Sequence, residues 1–127
     1  MSPIDRLTTF RAIDAYTIEA YRLAGSMPRR PEAAEIGAEI RRSAARTGAA
    51  VVAGTATEGD SERRWFDQAR GALAEGRYYL YLARRFGLID SRSYRAVAVR
   101  LDAAMKELAE APSSGSRRSP PVRLSGG

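Results

Sequence analysis

Residues 90–108 read DSRSYRAVAVRLDAAMKEL, and this stretch decides the fold. Tyr94, Val97, Ala98, Leu101, Met105 and Leu108 recur at steps of three and four, so they line one stripe of a helix. Asp90 stands where an N-cap is needed. A helix with one apolar stripe must bury it against other elements, and the chain upstream supplies three more of the same kind.

Moving outward, Gly87 suits the C′ position of a preceding helix that opens at Asp60 or Ser61, with Glu62 in the first turn where the helix dipole favours an acid. Trp65, Phe66, Ala69, Ala72, Leu73, Gly76, Leu80, Ala83 and Phe86 carry its period over about 27 residues, or ~40 Å. Before it, Ile36, Ile40, Ala44, Thr47 and Val51 form one face of a helix running from Pro31 to about Thr57. Ala44, Ala45, Gly48, Ala49, Ala50, Ala53 and Gly54 let a neighbour come close to that helix. The first helix spans about Leu7 to Gly25 with Phe10, Ile13, Thr17, Ala20, Tyr21 and Ala24, and Gly25, Ser26 and Pro28 end it. No segment alternates with period two. The expectation is an all-α, up-down-up-down four-helix bundle over residues 1–111. Residues 112–127, PSSGSRRSPPVRLSGG, have too little apolar surface to offset ordering entropy and read as a disordered tail.

A chain of 127 residues holds one domain of ordinary size. Cysteine and histidine are both absent, which excludes disulfides, thiol nucleophiles, Cys/His zinc sites and imidazole bases together. No enzyme, cofactor or metal is expected. No apolar run approaches the ~20 residues of a membrane span, and the amino terminus lacks a secretory h-region, so a soluble cytoplasmic protein is expected. Half of the net charge of +6 lies in the tail arginines Arg117, Arg118 and Arg123. Arginine outnumbers lysine 20 to 1, which fits either bidentate phosphate contacts or arginine-rich codon usage.

Several motifs, taken in order, resemble one family. The run Glu39-Ile40-Arg41-Arg42-Ser43-Ala44 resembles the Gln-Ile-Arg-Arg-Ala-Ala signature of four-helix-bundle proteins encoded in intervening sequences of bacterial 23S ribosomal RNA genes. The relatives of that family include the accessory variability determinant proteins of diversity-generating retroelements. Phe10, Ala15 and Tyr21 before a Met27-Pro28 turn, the stretch from Ala69 to Glu75, and Phe86-Gly87-Leu88-Ile89-Asp90 leading to Tyr94 are similar to further family motifs. Where the family ends its second helix with an Asn and a Glu, this chain has Ala50 and Ala53, and only Gly54 matches. The resemblance implies a non-enzymatic homopentamer, with nucleic acid and a reverse transcriptase as partners of the retroelement relatives.

Two residue groups carry the functional expectation. Arg63, Arg70, Arg77 and Arg84 recur every seven residues, so they form a slowly drifting stripe some ~30 Å long that could track RNA or DNA phosphates, with Arg41 and Arg42 in support. The alternative is a solvated or ion-paired face, with Asp67, Glu75, Glu35 and Glu39 within reach. Trp65, Phe66, Tyr78, Tyr79 and Tyr81 cannot all enter one core, so they are expected at an oligomer or partner interface. Glu58, Asp60 and Glu62 are explained by helix capping more simply than by a hard-metal site. The functional expectation is a nonspecific nucleic-acid-binding scaffold; the alternative is a protein-interaction adaptor.

Overall fold

The computed structural model describes residues 1–114, and residues 115–127 lie outside the described part. Four helices form: α1 (Pro3–Ser26), α2 (Pro31–Thr55), α3 (Gly59–Arg85) and α4 (Ser91–Ala109). Among the described residues there is no strand. The short connections 27–30, 56–58 and 86–90 make each helix antiparallel to the one before it. Contacts run α1 to α2, α2 to α3, α3 to α4 and α4 back to α1, so the helices close a ring around one core. The seam between α2 and α3 is the most extensive, and that between α3 and α4 the thinnest.

The helix ends follow from identifiable residues. Ser2 caps α1 by accepting from the Asp5 amide at 3.1 Å, with Pro3 in the first turn. This start precedes the expected one at Leu7, because the apolar period begins only after the cap. Helix α3 is entered from Glu58 rather than Asp60 or Ser61, since Gly59 at φ 64° makes the turn one step earlier. Its other end is as expected. Gly87 at φ 69° donates to the Arg84 carbonyl at 3.0 Å, and Leu88 donates to Ala83 at 2.9 Å, which is the paired bonding of a Schellman motif. Asp90 caps α4, accepting from the Ser93 amide at 2.7 Å.

In the core, α2 and α4 present the faces their periods predict, with Ile36, Ile40, Ala44, Thr47, Val51, Val97, Leu101 and Leu108 buried. Helix α1 is rotated from expectation. Its buried set is Thr9, Ile13, Tyr16, Ala20 and Leu23, while Phe10 and Tyr21 are left exposed. Two overlapping stripes share Ile13 and Ala20, and the one containing Tyr16 prevails because it fills a slot opposite Gly76.

A Cβ on Gly76 would stand 2.6 Å from the Tyr16 hydroxyl and 3.2 Å from the Ser43 hydroxyl. That hydroxyl of Tyr16 is buried and finds no hydrogen-bond partner among the described residues. Burial pushes the Tyr16 phenol up from 10.0 to about 12, with the Arg77 charge pulling the other way. The raised folded-state value means this stability is intact below pH ~10 and is lost as pH rises toward 12. The same close approach recurs at Gly54, where a Cβ would meet the Phe66 ring at 2.8 Å.

Gly76→Ala should therefore destabilise the fold by about 1–3 kcal/mol in urea unfolding, because the interior cannot yield a methyl's space. Gly71 has open space around it, so Gly71→Ala should stabilise by about 0.5–1 kcal/mol from helix propensity alone. In a Tyr16→Phe background the Gly76→Ala penalty should shrink, and an unchanged penalty would show that this contact does not set helix spacing.

Candidate nucleic-acid interface

Each member of the arginine stripe has a partner within the protein. Arg63 pairs with Asp60 one turn earlier on α3. Arg77 crosses to α4, reaching Asp102 at 2.7 Å. Arg70 is the most engaged. It donates to the carbonyls of Leu108 at 2.6 Å and Pro112 at 2.9 Å and to the Asp67 carboxylate at 2.6 Å. The Leu108 carbonyl lies in the last turn of α4 and also accepts from the Ala111 amide at 3.2 Å, while Pro112 follows the helix. The expected boundary at 112 therefore moves: Pro112, Ser113 and Ser114 are half-buried on the bundle, and the rest of the predicted disordered tail lies outside the described residues. Burial alone would push the Asp67 carboxyl up, but hydrogen bonds from Arg70 and Ser114 and the Arg70 charge hold it below its ordinary value.

Arg41 and Arg42 are not brought to the stripe. Arg42 pairs with Glu39 at 2.6 Å, and the Arg41 guanidinium lies 5.7 Å from the Tyr21 ring centroid on the α1 side. For Arg63, Arg70 and Arg77 the geometry is that of the ion-paired alternative, because each faces a carboxylate and two of them tie α3 to α4.

Arg84 is different. It donates to the Ser91 hydroxyl at 2.8 Å and lies over the Tyr94 ring at 5.3 Å. Both partners are neutral, so they fix its position and leave its charge. Around it, Tyr81, Arg84 and Arg85 of α3 and Ser91, Tyr94 and Arg95 of α4 line an open recess of about 470 Å³. Arg85 and Arg95 make no ion pair among the described residues. No carboxylate lines the recess, and the nearby Asp90, next to Ser91, caps α4 as an ionised carboxylate.

The aromatic residues separate into three fates. Phe66 is fully buried beneath Gly54, so it is corrected from an interface residue to a core residue. Tyr79 packs against the core from its edge. Tyr78 and Tyr81 remain 55% and 49% exposed, with ring centroids 6.2 Å apart and planes within 28°, beside the basic recess. Trp65 is exposed elsewhere, on the seam between α2 and α3 with Ala49, Ala50 and Gly71. There Ala50, one of the two departures from the family pattern, is buried as an apolar residue.

Ser91 and Arg95 were not singled out by sequence, and Tyr94 was read only as part of the α4 stripe and a family motif. Their signal was the Arg84-Arg85 pair without an acid on the adjacent turn, returned onto Tyr94-Arg95 by the Gly87 turn. Exposed Leu7, Phe10 and Val52 were missed in the same way, and they flank a second, apolar groove between α1 and α2. Among the described residues no group of acids converges as a metal site, and no helix is long and apolar enough to cross a membrane. No protein-family model matches the chain, and no curated protein matches it.

Arg70→Ala should destabilise the protein by about 1.5–3 kcal/mol in thermal or urea unfolding, since it strips charged donors from α4's end. Arg77→Ala breaks an exposed pair and should change stability by less than about 1 kcal/mol. Equal effects would mean that Arg70 is as solvated as Arg77.

Proposed function

We propose that the protein is a non-enzymatic, self-associating bundle that binds RNA or DNA without sequence preference through the recess between α3 and α4. One observation carries this reading: three guanidiniums and two tyrosines converge there with no carboxylate to neutralise them. A fixed, unopposed guanidinium is a phosphate ligand by charge and by geometry. The lining offers hydroxyls and guanidiniums but no carboxylate, imidazole or thiol, which favours binding over catalysis. The likeness of residues 39–44 to the intervening-sequence family supports the same reading, with an accessory role beside a reverse transcriptase as its furthest extension.

Self-association draws on a separate surface. Leu7, Phe10 and Val52 stand exposed around Ala45, Gly48 and Ala49, with Trp65 on the other flank of α2. Small residues on α2 let a second backbone approach, and the larger ones supply area around them. A second copy is the proposed occupant, a pentamer being the assembly the family likeness implies. This apolar face is also what favours the adaptor alternative, in which it holds a different protein and the recess holds nothing.

In binding titrations of the full chain, log affinity should fall linearly with log salt. Arg84→Glu, Arg85→Glu and Arg95→Glu should each weaken binding and lower the slope by about one. Replacing Arg117, Arg118 and Arg123 by serine controls for the tail; if that variant loses all binding and the recess variants lose none, the recess reading fails. Light scattering should report an oligomer that Val52→Glu dissociates while circular dichroism stays helical. A monomeric parent protein at micromolar concentration would remove self-association from the proposal.

A further inference from the structure

We infer that the recess selects an unpaired strand, with one base stacked on the Tyr81–Tyr78 ring pair and the flanking phosphates held by Arg84, Arg85 and Arg95. This rests on the nucleic-acid reading above and adds the form of the ligand. Tyr78, Tyr81 and Arg85 fall at steps of three and four along α3, so rings and charge share one helix face. The rings lie nearly parallel and half-exposed, which leaves aromatic surface open beside the guanidiniums. Backbone phosphates and base faces alternate along a strand, and this surface places their two kinds of partner side by side.

Duplex nucleic acid offers the phosphates but hides its base faces within its own stack. An unpaired strand offers both. The recess, at about 470 Å³, falls within the roughly 300–1,000 Å³ usual for sites that enclose a small ligand. Arg84 is pre-positioned by Ser91 and Tyr94, so little side-chain freedom is lost when a phosphate arrives.

The test is fluorescence anisotropy with the full chain and three probes of equal length: a mixed-sequence single-stranded RNA, its duplex, and an abasic single strand that keeps the phosphates. The single-stranded RNA should bind tightest. Tyr81→Ala should weaken it roughly 10-fold, bringing it down to the abasic level, and leave the duplex and abasic probes unchanged. Tyr81→Phe keeps the ring and should retain most of the affinity. Circular dichroism checks that each variant is folded, which a half-exposed helical position makes straightforward. Equal binding of all three probes with no effect of Tyr81→Ala overturns the stacking inference and leaves the phosphate reading standing. Binding of none of them, or binding indifferent to Arg85→Glu and Arg95→Glu, overturns both. Tighter binding of polyglutamate than of any probe, lost with the same arginines, replaces the strand by an acidic peptide.

Discussion

A guanidinium already facing carbonyls or a carboxylate of its own chain has little left to offer a ligand, and the surface of this bundle divides along that line. Arg6 donates to the Thr55 carbonyl at the end of α2, Arg30 to Phe86 at the end of α3, and Arg70 to Leu108 and Pro112 at the end of α4. Helix C-termini leave acceptors unpaired, and a left-handed glycine is the usual remedy. Among the described residues only α3 ends on one, Gly87. The ends of α2 and α4 lack one and are met by arginines reaching across from neighbouring helices, as the α3 end also is by Arg30, so the same side chains that meet helix ends also hold the helices together.

This arrangement ties the basic residues to the packing beneath them. Helices α1, α2 and α3 stand close because Gly76 receives the Tyr16 hydroxyl and Gly54 receives the Phe66 ring. That spacing brings Arg46 of α2 to Glu75 of α3, and it places Glu62 next to Arg6 at 3.8 Å. The Arg46–Glu75 pair is exposed and contributes little, Glu62 is buried beside Arg6, and the buried aromatic contacts set the geometry in which both form. The thinner seam between α3 and α4 is bridged by Arg70, Arg77 and Arg84, and where that bridging ends the recess opens.

The number of helices, their order and the buried faces of α2 and α4 were legible in the sequence because each depends on local period and caps. The buried face of α1 was less so: its two stripes share Ile13 and Ala20, and the choice between them rests on a slot opposite Gly76, 60 residues from Tyr16. On α3 the sequence shows that adjacent Trp65 and Phe66 must part, but only the small residue at Gly54 determines which goes inside. The seven-residue arginine spacing was read correctly as one face. What that face meets was hidden, because Asp102 and the Leu108 carbonyl come from 25 and 38 residues away. A periodic charge row reports direction, and the partner that decides its use is tertiary. The recess was obscured for the same reason, being built half from each side of the Gly87 turn.

Arg84, Arg85 and Arg95 line one recess between α3 and α4 that has no carboxylate in its lining. Ser91 and Tyr94 steady Arg84 through neutral contacts, and neither offsets its charge. At Arg63, Arg70 and Arg77 an added anion would have to displace a carboxylate or a carbonyl already in place, whereas Arg84, Arg85 and Arg95, like the scattered Arg11, Arg29, Arg92 and Arg100, face neither among the described residues. In the recess it displaces only water. A phosphate ligand that binds the folded state alone would stabilise that state, more so the further its concentration exceeds its Kd. On the proposed reading it is the grouping of Arg84, Arg85 and Arg95 around one recess, more than the total charge of the chain, that favours this end of the bundle for a polyanion.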